Sequence, residues 1–221
     1  MNELLLLSIA ILDLGLVLLM HRLGKKWLYS SIVVNLILIS VFGAKLISIF
    51  GLVTNSGNVF YAAVFFATYL LIEHHGLSSG VNVVWLGVLS TTFFMVMSQF
   101  AAFTVGVGET AEINGAIHTL FTLAPRVALA SLVAYVAAQS LNSLLYGGFK
   151  KRNGKDRLWL RALASSSVAQ LLDSILFFSI AFLGIVPLAV MVQAMIIGYV
   201  VKVLVGAMSI PLLYLSYQIK R

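Results

Sequence analysis

Long apolar stretches separated by short polar loops run through this sequence from end to end. A helix that crosses a bilayer needs about 20 largely apolar residues. Seven stretches approach that length, and they cover residues 3–20, 28–50, 58–73, 82–105, 116–146, 158–184 and 187–217. Only 10% of the 221 residues are charged, against about 25% in soluble domains. The sequence therefore predicts an all-α integral membrane protein, a single domain over residues 1–221 with six to seven transmembrane helices, seven being favoured.

Two of these stretches depart from the usual length of a span. The third, 58–73, is short, and the fifth, 116–146, is long enough to contain two helices. Pro125 marks the division, because proline lacks a backbone donor and clashes with the preceding turn. We therefore predict a short segment at 116–123 followed by a span that begins near residue 125.

The basic residues collect on alternate loops. The loops at 21–27 and 147–157 are rich in Lys and Arg, and the chain ends in Lys220 and Arg221. Cytoplasmic loops of membrane proteins carry such an excess. We therefore predict a multi-pass protein of the plasma membrane, with its N-terminus outside and its C-terminus in the cytoplasm. This topology and the lipid headgroups explain the net charge of +7, so nucleic acid is not an expected partner.

Three basic residues away from the cytoplasmic loops lie inside predicted spans, Lys45, Arg126 and Lys202, and the acidic residues Asp13 and Asp173 lie near span centres. Such residues usually face the interior of the bundle and mark a pathway or a site. For Lys45 and Arg126, snorkelling to the outer headgroups is the alternative interpretation. Asp173 and Lys202 both lie near mid-membrane and are predicted to pair, either at a site or as a structural ion pair. Asp13 is interpreted as a packing residue, because its span carries no other polar stripe.

Polar and aromatic residues recur at helical spacing on several spans and form stripes. Stripes that face one another can enclose a cavity, and their rings and amides suit a small planar ligand. The predicted substrate-binding residues are Phe65, Tyr69, Glu73, Arg126, Tyr135, Gln139, Gln170, Asp173, Tyr199 and Lys202.

The sequence predicts no catalytic residues, no metal site and no cofactor. It has no cysteine, and it contains no His-Glu-x-x-His or Gly-x-Ser-x-Gly motif. His74 and His75 have no His or Cys partner at the spacing of metal ligands. The glycine-rich loop at 106–115 lacks the lysine of a phosphate-binding loop. We therefore expect no enzyme and no ATP hydrolysis by this chain itself.

Several motifs occur in an order that has a counterpart among known membrane proteins. They are FATYLLIEHHG at 66–76, RVALASLVAY at 126–135 followed by Gln139, ASSS at 164–167 with QLLDS at 170–174, and YVVK at 199–202 with PLLY at 211–214. This ordered set, over about residues 35–217, resembles the vitamin uptake transporter family, which is known for queuosine-precursor transporters. Tyr69 stands where that family usually has Asp, and the first span is additional to the six commonly described.

The resemblance implies uptake of a flat, hydrogen-bonding 7-deazaguanine such as a queuosine precursor. The alternative function is a substrate-binding component of a multi-subunit vitamin importer that a separate ATPase module energises. The expected partners are a purine-like or vitamin-like small molecule and the lipid bilayer. The sequence is compatible both with a homo-oligomer and with an associated ATPase module.

Overall fold

The fold is a bundle of α-helices with one short hairpin. The computed structural model describes residues 2–43, 45–121, 125–153 and 157–219, apart from some side chains within those ranges. The helices are α1 (Asn2–Leu23), α2 (Lys25–Phe42), α3 (Asn58–His75), α4 (Leu77–Ala102), α5 (Ala111–Phe121), α6 (Pro125–Asn153), α7 (Leu158–Phe182) and α8 (Leu188–Leu215). Strands β1 (Leu46–Ile49) and β2 (Leu52–Asn55) lie between α2 and α3, and a 3₁₀ turn (Gly108–Thr110) precedes α5. The predicted helical fold class is confirmed.

Six helices are long and apolar enough to cross a membrane: α1, α2, α4, α7, α8 and, within α6, Leu129–Arg152. The predicted third span corresponds to α3, whose 18 residues reach about 27 Å at 1.5 Å per residue. α3 packs against α1, α2, α4, α6 and α8, and most of its residues are buried. Because protein rather than lipid surrounds α3, its sequence can be more polar than that of a lipid-exposed span. The bundle therefore has six to seven membrane-spanning helices.

The predicted span at 28–50 is wrong in its second half. α2 ends at Phe42, and the apolar residues that follow form an antiparallel hairpin in which Ile49 pairs with Leu52. The turn between them uses Phe50 (φ 48°) and Gly51 (φ 78°), and two central residues with positive φ match the twist of a tight hairpin. Lys45 therefore lies at the start of the hairpin, exposed, and its predicted place inside a span is wrong.

The division at Pro125 agrees with the prediction, whereas the predicted loop at 147–157 does not. α5 ends at Phe121 and α6 begins at Pro125, so the predicted division is confirmed. However, α6 continues to Asn153 and includes three basic residues that were predicted in a loop, Lys150, Lys151 and Arg152. Basic residues in the last turn interact favourably with the negative end of the helix dipole, which explains why the helix extends through them.

Contacts near the ends of the helices define two ends of the bundle. At the end that we call the hairpin end, Asn2 Nδ2 donates to Ser48 O at 2.9 Å. At the opposite end, which we call the basic end, the rings of His21 and His74 lie 4.3 Å apart. There Lys150 Nζ also donates to Ile72 O at 2.7 Å. The loops that share basic charge in the sequence thus meet at one end, as their alternation requires.

Candidate functional site

An ion pair lies buried among α3, α7 and α8. Lys202 Nζ, on α8, is 2.5 Å from Asp173 Oδ2, on α7, and the two residues are 7% and 3% exposed. The hydroxyl of Tyr61, on α3, donates to Asp173 Oδ1 at 2.7 Å. The Lys202 ammonium also lies 4.7 Å from the centre of the Tyr61 ring. The predicted pairing of Asp173 with Lys202 is confirmed, and Tyr61 joins it to a third helix.

This cluster is costly for a bundle that needs only to be stable. Each charge alone would cost about 2.5–3.5 kcal/mol at the centre of a spanning helix. Replacing a buried ion pair by well-packed apolar residues is often neutral or stabilising. The presence of this ion pair is therefore weak evidence for a role in stability.

Aromatic rings continue from this cluster along α3 toward the basic end. The ring centres of Tyr61 and Phe65 are 5.8 Å apart, and those of Phe65 and Tyr69 are 6.5 Å apart with an edge-to-face geometry. Tyr69 then stacks on Tyr146 of α6 at 4.5 Å. The predicted residues Phe65 and Tyr69 thus belong to one aromatic row, and Tyr61 and Tyr146 extend it at either end.

Amide side chains of α6 and α7 carry unused hydrogen-bonding capacity. Gln139 Nε2 donates to Thr68 Oγ1 at 2.6 Å, and Asn142 Oδ1 accepts from the Tyr69 hydroxyl at 3.2 Å. Gln139 and Gln170 are each 1% exposed. Their amide oxygens receive no hydrogen bond from the residues that the structure describes, although buried polar atoms normally have a partner. Two buried acceptors without donors suit a ligand that brings N–H groups.

Tyr135 is engaged in packing α6 against α4. Its hydroxyl donates to Val83 O at 2.9 Å. A Cβ atom added at Gly87 would lie 2.0 Å from that hydroxyl oxygen, so glycine is required for this close approach. Tyr135 is 6% exposed, and its hydroxyl is already used by the α4 backbone.

Glu73 lies in a second cluster, at the basic end. Its Oε1 is 2.7 Å from Arg161 Nη2, and its Oε2 is 3.6 Å from Lys150 Nζ. Tyr217, just after α8, donates its hydroxyl to Oε2. Burial, followed by this hydrogen bond to Glu73, raises the pKa of Tyr217 above its ordinary value. The structure thus brings Glu73 together with Arg161 and Lys150 instead of with Asp173.

Two further predicted residues add less to the site. Tyr199 lies on α8 near Lys202 and is partly buried. Arg126 belongs to the first turn of α6, but its side chain lies outside the part of the chain that the structure describes. Its predicted place on the pathway stays a prediction.

Two partners of the predicted residues were not among the predicted substrate-binding residues. Tyr61 precedes Phe65 by four residues, and this spacing places it on the same face of α3. In the sequence, Arg161 is one of several basic residues in or beside the predicted cytoplasmic loops. Nothing in its position distinguishes it from the rest of these basic residues. Spacing therefore gave a signal for Tyr61 and none for Arg161.

Residues 55–216 match the model of a family described as "Putative vitamin uptake transporter". This match covers most of the chain. The chain belongs to the vitamin uptake transporter family. It is therefore a transporter of the multi-pass membrane type, in agreement with its bundle of apolar helices. The matched residues include α3 to α8 and with them the charged residues of both clusters, whereas α1 and α2 lie before them.

This transporter is also similar to a curated protein of Bacillus subtilis (strain 168). That protein is named "Probable queuosine precursor transporter", and the two are 35% identical over 211 residues. The alignment covers 93% of this chain and 90% of the relative. No solved structure matches this transporter. The similarity extends over nearly the whole of both proteins.

Proposed function

We propose that this chain carries a queuosine precursor, a planar 7-deazaguanine, into the cell, and that the substrate binds beside Asp173 and Lys202. The observation that carries the proposal is the buried Asp173–Lys202–Tyr61 cluster inside a membrane bundle. The name of the Bacillus subtilis relative supports the choice of substrate. The substrate leaves the protein chemically unchanged, because we propose transport and no catalysis.

The chemistry of the surrounding side chains fits such a substrate. Its flat ring can stack on Phe65 or Tyr69, since aromatic rings prefer stacked or edge-to-face contacts. Its N–H groups can donate to the unpartnered amide oxygens of Gln139 and Gln170. Its remaining polar atoms can form hydrogen bonds to Asp173 and Lys202 in place of the contact between these two side chains. Tyr135, Tyr199, Arg126 and Glu73 complete the proposed set of pathway residues.

We also propose the plasma membrane as the location, with the basic end in the cytoplasm. The support is the excess of Lys and Arg at that end, which is the rule for cytoplasmic loops. The hairpin end and the N-terminus then face outward. Uptake moves the substrate from the hairpin end past Asp173 toward the Glu73 cluster.

The importer-component alternative is not favoured. The matching family and the curated relative are both described as transporters. A component that needs an ATPase module would bind the substrate in liposomes but would not move it without that module. Transport by the chain alone therefore separates the two functions.

The proposal is tested by uptake of a labelled 7-deazaguanine into liposomes that contain the purified protein. We expect uptake by the wild type, loss of uptake in Asp173→Asn plus Lys202→Gln, and normal uptake in the control Lys151→Gln, whose side chain is exposed at the end of α6. Wild-type uptake that fails while binding persists would favour the importer component. Normal uptake in the folded double variant would reject the proposed binding site.

A further inference from the structure

A second carboxyl group lies inside the membrane, between α1 and α2. Asp13 is 11 residues after Asn2 and 10 before Leu23, the ends of α1, so it is about 15 Å from either end. Its Oδ1 accepts a hydrogen bond of 3.2 Å from Asn35 Nδ2, on α2. Asn35 is 3% exposed, and Nδ2 also donates to Ser31 O at 3.0 Å. The Asn35 amide nitrogen therefore uses both of its donor hydrogens.

The remaining oxygen of each side chain has no donor. Asp13 Oδ2 and Asn35 Oδ1 are buried, and no described residue gives either of them a hydrogen bond. With Asp13 ionised, both atoms are acceptors, and neither can satisfy the other. Buried acceptors without partners are rare in folded proteins. A single hydrogen atom on Asp13 Oδ2 would give both oxygens a hydrogen-bond partner.

The described part of the chain gives Asp13 no ion pair that would neutralise it. Charged groups of α1 and α2 lie near helix ends, and β1 has no titratable residue. On α3 and α8, the titratable groups in the interior are engaged elsewhere or lie near Lys202. Apart from Asp13 itself, all the titratable groups on the four helices considered are Glu3, His21 and Arg22 of α1, Lys25, Lys26 and Tyr29 of α2, Tyr61, Tyr69, Glu73, His74 and His75 of α3, and Tyr199, Lys202 and Tyr214 of α8.

We propose that Asp13 is a proton-binding site and that it is protonated in this conformation. A proton taken from water binds Oδ2, and the resulting hydroxyl donates to Asn35 Oδ1. As the O–H bond of Asp13 forms, the O–H bond of the hydronium ion that supplies the proton breaks and releases water. This single proton removes a charge that is costly at the centre of a bilayer, and it supplies the donor that both oxygens lack. The carboxylic acid and the amide then form a reciprocal pair that joins α1 to α2.

Loss of this proton needs a different arrangement of the two helices. An ionised Asp13 requires water or a cation, so α1 must separate from α2 before the proton leaves. Gain and loss of the proton are thereby tied to movement of α1. We infer that transport is coupled to a proton gradient at Asp13. Asp13 and Asn35 lie on α1 and α2, whereas the residues of the proposed substrate site lie on α3, α6, α7 and α8, so the two sites are formed by different helices.

Infrared spectroscopy of the purified protein tests the protonation directly. A protonated carboxyl has a C=O stretch that a carboxylate lacks, and we expect this band at neutral pH in the wild type. We expect Asp13→Asn to remove the band and the control Glu112→Gln, exposed on α5, to keep it. If Asp13→Asn does not fold, a shift of the band in Asn35→Leu makes the same assignment. A band that neither variant alters, or no band in the wild type, would overturn the proposal.

Uptake measurements test the coupling. The ratio of 7-deazaguanine uptake with an inward proton gradient to uptake without one should exceed unity in the wild type and in Glu112→Gln. In Asp13→Asn we expect this ratio to fall to unity. An unchanged ratio in Asp13→Asn would reject coupling at Asp13. The infrared band does not depend on the substrate, so failure of the proposed substrate would leave the protonation test intact.

Discussion

Asp173 and Lys202 hold opposite charges 2.5 Å apart in the interior of the bundle. Either charge alone would be left buried with only neutral partners. Removing one member of a buried pair costs about 3–5 kcal/mol, whereas removing both is often far less harmful. We therefore expect Asp173→Asn and Lys202→Gln to lower the thermal unfolding temperature in detergent more than the double variant does.

Ligand binding separates a binding role of the pair from a structural one. We expect the folded double variant to lose binding of a 7-deazaguanine, measured by thermal shift or by labelled ligand. A purely structural pair would leave binding intact. Retained affinity in the double variant would therefore contradict the site assignment, whatever its stability.

Gly87 provides a second test at the scale of one residue. A Cβ at this position would meet the Tyr135 hydroxyl oxygen at 2.0 Å, whereas a Cβ at Gly206 would meet nothing within 4 Å. Overpacking of a tight contact costs about 1–3 kcal/mol. We expect Gly87→Ala to lower the unfolding temperature and Gly206→Ala to leave it unchanged or raise it. Equal effects of the two substitutions would show that Tyr135 can move without cost.

At the scale of elements, the Glu73 cluster holds four segments together at the basic end. Glu73 belongs to α3, Lys150 to α6, Arg161 to α7, and Tyr217 to the segment after α8. Lys150 also donates to the carbonyl oxygens of Ile72 and Glu73 in the last turn of α3, where helix carbonyls have too few intrahelical donors. The cluster therefore fixes how these helices meet at this end.

Neutralising Glu73 should release this end of the bundle. In Glu73→Gln, the Arg161 guanidinium, whose side chain is fully buried, loses its carboxylate, and breaking such a pair costs about 3–5 kcal/mol. We expect a large drop in unfolding temperature and faster proteolysis after Tyr217. The exposed acid Glu112 offers the matched control, Glu112→Gln. A drop of similar size in both variants would mean that general loss of negative charge is responsible.

The sequence predicts α7 and α8 well because both are long and mostly apolar, with few charges to interrupt the pattern. α3 is harder, since buried helices need not be uniformly apolar, and its apolar stretch at 58–73 is short for a span. The β-hairpin was missed because residues 46–54 are as apolar as a span, and only the Phe50–Gly51 turn distinguishes them. The Asp173–Lys202 pair was predictable from depth and helical face. Arg161 was not, because pairing across helices at the basic end depends on tertiary packing.

At the scale of the whole molecule, the bundle has two unlike ends. The hairpin end joins α1 to the hairpin, with Phe50 N donating to Glu3 Oε1 at 3.1 Å. The basic end joins α1, α3 and the C-terminal segment, with His74 Nε2 3.0 Å from Ser216 Oγ. A substrate that reaches Asp173 from one end must leave past the other. In the proposed uptake, the sidedness of these ends decides which end admits the substrate and which releases it.

Single cysteines can establish that sidedness, because the chain has no cysteine of its own. Phe50 is 84% exposed at the hairpin turn, and Lys151 is exposed at the basic end. Because Lys and Arg collect on cytoplasmic loops, we expect a membrane-impermeant maleimide to label Phe50→Cys in right-side-out vesicles. Lys151→Cys should be labelled only in inside-out vesicles. The reverse pattern would place the N-terminus in the cytoplasm and would contradict the proposed sidedness.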